Sequence, residues 1–457
     1  MLSAYLNSWK IPELRKRIVF TFGIILLCRV TANIPCPGVD ANALASIFDS
    51  KGGGGGMMDM FNLFSGGALQ KFAVGALGIM PYISASIIMQ LLTPVLPALE
   101  KMVREGESGR QKYNQLTRYA TVAICIVQGT IFAKAMSDPT RFGISSEASA
   151  VVNPGLWFMV STVITLTAGA LFLMWLGEMI TERGIGNGAS LIITVNIIDR
   201  LPGSLANLYK YLRADGGSDW GFFGIRIIGL LAMFLLVCAA TVALIQGMRR
   251  IPIRYAKRMA GRGGVAAGTT SYLPLRVNYA GVMPIIFGGA IMMFPGLITR
   301  LAASKEWWPT GVWSWLAQAL SYGNTGYVVC YGALILAFSF FWVANQFNPI
   351  QIADDLQKRG GYVPGIRPGN PTADYLDHTM TRLTVAGATF LLAVAVLPMF
   401  LSQSFHIPGD VAQFFGGTSL LIVVGVTLDT MRQVEAHLLS RHYDGFLSKG
   451  HLRSRRG

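Results

Sequence analysis

The sequence predicts an all-α polytopic membrane protein whose ten transmembrane helices form two inverted five-helix halves. Three observations carry this. Of 457 residues, 52% are hydrophobic and only 13% charged, a composition outside the range of soluble domains. Apolar runs recur about every 40 residues, each near the roughly 20 residues that a helix needs to cross a hydrocarbon core. Basic residues fall on one side when the runs are threaded alternately through a membrane.

The runs are 18–35, 72–97, 117–137, 154–180, 186–208, 222–246, 279–300, 325–345, 380–403 and 416–436. Helices are the unit because a spanning segment must satisfy its backbone polar groups internally. With the N-terminus in the cytosol, the cytoplasmic stretches hold 27 of the 38 Lys and Arg. An even number of spans then leaves both termini cytoplasmic; removing one would put basic loops on both sides. The basic start of "LRKRIVFTFGIILLC" looks like a secretory signal, but nine spans follow without a small-x-small cleavage site, so it is read as a retained first span.

Five spans, a long basic loop and five more spans divide the chain into 1–208 and 209–457, and an odd number per half inverts one half relative to the other. Three extramembrane segments stand out: 36–71, with "KGGGGG" before a Met/Phe-rich piece at about 57–71; the basic loop 249–278; and the loop 346–382, whose turn formers present Arg367 between Ile366 and Pro368. A cytoplasmic tail, 437–457, completes the chain.

No constellation for catalysis, cofactor or metal is present, so the chain is read as no enzyme. The five histidines (His378, His406, His437, His442, His451) lack ligand-spaced partners, and the five cysteines (Cys28, Cys36, Cys125, Cys238, Cys330) read as apolar fillers beside spans. There is no phosphate loop, so if the process is energised, a partner or a gradient is the expected source. The spans are nearly free of charge, which counts against an ion-coupled secondary transporter with inverted repeats, the rival class. Arg29 is expected to snorkel from the end of span one; Glu178 and Asp429 lie near span ends.

One stretch, "GALGIMPYISASIIMQLL" (75–92), carries a proline and several small and polar residues inside an apolar run. On a helix, Ile79, Ile83, Ser86 and Gln90 fall within about 60° of one another. That stripe fits helix packing and pore lining equally.

Longer motifs decide between them. "MFNLFSGGAL", "ALGIMPYISASIIMQLL", "EGESGRQKYNQLTRY", "ERGIGNGASL", "RRIPIRYAKR", "YLPLRVNYAGVMPIIF", "NPIQIADDLQKRGGYVPGIRPG" and "FGGTSLLIVVGVTLD" together resemble the SecY family, the channel subunits of the bacterial protein translocase. The resemblance covers nearly the whole chain in order. It implies a clamshell of the two halves around a central pore, closed by an aliphatic ring of Ile79, Ile83, Ile193, Ile286 and Ile422. Ala189 stands where the family usually has a bulky aliphatic residue. A plug would comprise Asn62, Leu63, Phe64, Ser65, Gly66 and Gly67, and a lateral gate would include Pro81, Ser86, Gln90, Pro284 and Phe287, with the two prolines as points of give. Arg249, Arg250, Arg254, Lys257, Arg258 and Arg367 would dock the ATPase SecA or ribosomal RNA phosphates. The resemblance further implies the small subunits SecE and SecG, signal peptides, nascent chains and membrane lipid as partners, and the bacterial cytoplasmic membrane as location.

Overall fold

The computed structural model describes residues 11–40, 44, 62, 64–137, 151, 153, 155–215, 220–255, 259–260, 264–265, 270–292, 315–316, 318–321, 324–405, 411–412 and 417–449. Most are helical. In chain order the helices are α1 (Pro12–Thr31), α2 (Met80–Leu92), α3 (Pro97–Arg104), α4 (Glu107–Ser137), α5 (Leu156–Arg183), α6 (Gly188–Asp199), α7 (Leu201–Asp215), α8 (Trp220–Gln246), α9 (Met283–Met292), α10 (Thr325–Gln346), α11 (Pro349–Lys358), α12 (Asn370–Phe405) and α13 (Thr418–Lys449). Among the described residues, Glu107–Lys134, Leu156–Arg183, Ile227–Gln246, Thr325–Lys358 and Asn370–Phe400 are long and apolar enough to cross a membrane.

The helix ends follow local chemistry. Prolines open α1, α3 and α11 in the first turn, where a missing N–H is no loss. Asn187 and Asn348 cap α6 and α11, their Oδ1 atoms accepting from the amides of Ser190 and Gln351 at 3.3 and 3.2 Å. The single run expected over 72–97 is broken: α2 and α3 meet at a bend of 101°. Pro97 forces Leu96 into extended backbone, so the helix cannot continue through it.

Two compact units emerge, one made of Met1–Asn207, Phe294–Tyr322 and Ile422–Gly457, the other of Leu208–Met293 and Gly323–Leu421. In the first, α5 is the spine, with α1, α4 and α6 packed against it. Backbones approach closely at glycines, as expected where packing rather than water drives helix association. A Cβ on Gly188 would lie 1.8 Å from the Gly177 carbonyl oxygen, and one on Gly169 would lie 2.0 Å from that of Val74. The turn between α5 and α6 is tied down on three sides: Thr21 Oγ1 accepts from the Ile185 amide, Gln433 Oε1 from Gly186 and Thr181 Oγ1 from Gly188.

The second unit corrects the all-α expectation. Within the expected loop 249–278 and its flanks, β1 (Met248–Tyr255) pairs antiparallel with β2 (Thr270–Arg276), and β3 (Gly361–Tyr362) adds to the other edge of β1. Ile251 and Ile253 are buried while Arg250, Pro252 and Arg254 are exposed, the period-two pattern of a half-buried strand. Ile251 and Leu275 join Val343, Phe347, Val363, Leu376 and Met380 in one apolar core. The ends of α10 and α12 and the chain around β3 are thereby bound to the hairpin.

The Gly169 contact generates a prediction. Gly169→Ala is expected to cost about 1–3 kcal/mol through overpacking and to lower the unfolding midpoint of the purified protein in detergent. Gly203→Ala, at an exposed helical site with nothing within 4 Å of the added Cβ, should leave the midpoint unchanged or raise it; thermal denaturation of the two variants side by side checks this.

Candidate functional site

The stretch 75–92 is not helical from its start. Gly78 takes φ +59°, Ile79 is the N-cap and α2 begins at Met80. Pro81 is thus the second helical residue, where proline is well tolerated. The expectation that it softens the middle of a helix is corrected: no intrahelical hydrogen bond is lost there. Ile79 and Ile83 are buried. Ile79 and Ile192 bring their Cδ1 atoms to 3.3 and 3.4 Å of the position a Gly177 Cβ would take, so α5 has a glycine where the two isoleucines seat. Gln90 Nε2 donates to Ser86 Oγ at 3.3 Å, one turn apart on the half-buried side of α2. Ile193 on α6 and Ile422 on α13 belong to the same unit and are buried.

The second unit repeats the local design. Gly281-Val282-Met283-Pro284-Ile285-Ile286 matches Gly78-Ile79-Met80-Pro81-Tyr82-Ile83 at four of six positions. Gly281 has φ +64°, α9 begins at Met283, and Pro284 is again the second helical residue, so the same correction applies. Ile286 is buried, and Phe287 packs edge-on against Phe338 and Trp342 of α10 at centroid distances of 6.0 and 5.4 Å. Tyr331 Oη donates to the Ile285 carbonyl at 3.3 Å.

Of the residues expected as a plug, Asn62, Phe64, Ser65, Gly66 and Gly67 are described and Leu63 lies outside the described residues. They form a tight turn: the Gly67 amide donates to the Asn62 carbonyl at 3.0 Å, Ser65 Oγ donates to the same carbonyl at 3.2 Å, and the Gln70 amide donates to Asn62 Oδ1 at 3.4 Å. Next the chain pairs with the end of α1. Cys36 donates to Phe72 at 2.9 Å, Val74 to Ile34 at 2.8 Å and Gly75 to Thr31 at 3.2 Å. Phe72, fully buried, adopts φ +41°, a left-handed conformation rare for a bulky residue.

Arg29 corrects another expectation. It does not snorkel: its guanidinium donates to Asp199 Oδ2 at 2.7 Å and to Asn196 Oδ1, both on α6. Asn196 Nδ2 donates in turn to the Phe64 carbonyl at 2.6 Å. Asn196 and Asp199 escaped the sequence reading, although "VNIID" sets two polar residues three apart in an apolar helix. Glu178 also has a partner, a two-point contact with Arg118 of α4 at 3.1 and 2.6 Å.

The basic candidates gather on the second unit. Arg249, Arg250 and Arg254 line β1 and are exposed; Lys257 and Arg258 lie outside the described residues. Arg367 is exposed in a loop whose Gly365 and Gly369 take φ +87° and +96°. Ile366 beside it packs into the hairpin's apolar core, and the Arg367 carbonyl accepts from Thr372 Oγ1 at 2.8 Å. Among the described residues no carboxylate reaches these four arginines, so their charge faces solvent uncompensated.

A family model described as SecY matches residues 73–431. The protein translocase subunit SecY of Chlamydia trachomatis serovar D is 42% identical, over 98% of both chains. The chain belongs to the SecY family. Its fold agrees with two solved structures. One, described by the statement that the plug domain of the SecY protein stabilises the closed state of the translocation channel and maintains a membrane seal, gives a TM-score of 0.60 at 19% identity over 93% of this chain and 92% of that one. The other, Sec61 in the canine ribosome-channel complex from the endoplasmic reticulum, gives 0.60 at 17% identity over 93% and 92%. This SecY-family chain is therefore a mostly helical membrane protein.

The hairpin core yields a second prediction. Ile251→Ala removes no charge, yet it is expected to cost about 2–4 kcal/mol of local packing. Amide exchange should accelerate together in β1, β2 and the 361–367 loop; acceleration confined to β1 would show that the three do not share a core.

Proposed function

We propose that this chain, a protein-translocation channel subunit of the SecY family, passes unfolded polypeptide through a pore between two inverted five-span halves and releases apolar helices sideways into lipid. The observation that carries this reading is family membership over 98% of the chain, joined by long apolar helices and by exposed arginines on β1 and in the Arg367 loop. The ten spans fall in 1–208 and 209–457, in the bacterial cytoplasmic membrane, with both termini cytoplasmic.

In this reading Ile79, Ile83, Ile193, Ile286 and Ile422 close the pore. A ring of branched apolar side chains disfavours continuous water and so resists ion flow, and it offers a passing chain no strong bonds. Residues 62–67 are the plug. Support comes from the similar solved SecY structure, whose plug domain is described as keeping the membrane seal. The gate comprises Pro81, Ser86, Gln90, Pro284 and Phe287, and two equivalent Gly-x-Met-Pro helix starts, one per half, fit a pair of facing elements. SecE and SecG are the proposed small subunits.

Arg249, Arg250, Arg254, Lys257, Arg258 and Arg367 form the docking surface. Uncompensated guanidinium groups suit ribosomal RNA phosphates, and a related channel, Sec61, is described in a ribosome complex. Such binding should weaken steeply with salt. The same surface is proposed for SecA, an ATPase that would supply the energy.

Two experiments test the reading. Ile83→Asn combined with Ile422→Asn is expected to raise the ion leak of reconstituted channels several-fold; an unchanged leak would remove both from the ring. Arg367→Glu is expected to cut SecA-driven transport at least about tenfold, the scale of a lost or reversed charged contact, with the unfolding midpoint unchanged. Normal transport by that variant would exclude Arg367 from docking.

A further inference from the structure

We propose that Arg29, Asn196 and Asp199 form a latch that holds the plug in its seat and sets how readily the idle channel opens. The inference rests on reading residues 62–67 as the plug. Arg29 can only donate hydrogen bonds, so Asn196 must turn its Oδ1 towards the guanidinium. That leaves the Asn196 NH2 group facing the Phe64 carbonyl, to which it donates at 2.6 Å in a buried setting. Asp199, bound to Arg29 at 2.7 Å, fixes the guanidinium from the other side. The charge on α1 thus orients a neutral amide on α6, and the amide grips the plug's main chain.

Gly66 supplies the second grip. It adopts φ +65°, and a Cβ there would lie 2.7 and 2.9 Å from the two Arg29 Nη atoms and 3.1 Å from Asn196 Cα. Only glycine lets the plug backbone close onto the pair. A seat of this kind is directional: small lateral shifts are resisted, and leaving requires that the Phe64 bond and the Gly66 contact break together. Because Asn196 holds the Phe64 carbonyl, a change of the Phe64 side chain does not remove that bond.

The test uses the full-length channel, its five native cysteines replaced, with Phe64→Cys as a reporter. Phe64 is 2% exposed, so the thiol should be protected from a membrane-impermeant maleimide in idle channels and become reactive while a secretory precursor is in transit. Asn196→Asp keeps an acceptor for Arg29 and removes the donor to Phe64. It is expected to raise the idle labelling rate about tenfold, the loss of one buried bond, with Asp199→Asn giving a smaller rise. An idle rate equal to the parent's in Asn196→Asp overturns the latch. If Asn196→Asp does not fold, Asp199→Asn decides on the same criterion, its carboxylate being half exposed. A reporter that stays protected during transit overturns the plug reading itself, a result distinct from failure of the latch.

Discussion

Backbone that leaves the helical state within an apolar chain must find hydrogen-bond partners inside the protein. Residues 64–79 meet that constraint, and the first unit is organised around how they do so. The carbonyls of Thr31, the last residue of α1, and of Ile34 just beyond it take the amides of Gly75 and Val74, and the Phe72 carbonyl takes the amide of Cys36. Asn196 supplies a donor for Phe64. Gly169 then clears the way for the Val74 carbonyl to lie against α5. A side chain at 169 would push this segment off the spine and separate the amides and carbonyls that justify its irregular path.

How much of this was legible in the sequence depends on the range of the interaction. Span length and loop charge are set by the bilayer, an external ruler, so apolar runs announced the helices and basic residues announced the exposed surface. The bend after α2 was written in Pro94 and Pro97, two prolines at the end of an apolar run. The β1–β2 hairpin was disguised because only Ile251 and Ile253 alternate cleanly, and each strand carries a proline, Pro252 opposite Tyr272 and Pro274 opposite Arg250. Proline on a strand argues against a strand unless its missing N–H faces away from a partner. The resemblance to the SecY family supplied the proposed plug, ring and docking segments, but not the contacts made by Arg29, because its partner Asp199 lies 170 residues away.

The duplicated Gly-x-Met-Pro starts give proline a role that an apolar run alone does not suggest. A proline amid apolar residues suggests a weak point. At the second helical position it instead helps fix where the helix begins, with a left-handed glycine three residues earlier turning the chain into it. Pro81 and Pro284 therefore leave α2 and α9 intact. Any gate motion built on these elements would move whole helices about the preceding glycine, not bend them internally.

The loop that carries Arg367 has a consequence for encounter rates. Two glycines in left-handed backbone, a hydroxyl bond to the Arg367 carbonyl and the anchoring of Ile366 fix the main chain before any partner arrives. The ordering entropy of that loop is lost once, during folding, and not again at each collision. A partner that engages Arg367 meets a preorganised contact. Changes to the loop's glycines should then alter residence time even with every arginine in place, whereas added salt, by screening the long-range attraction, should first slow association.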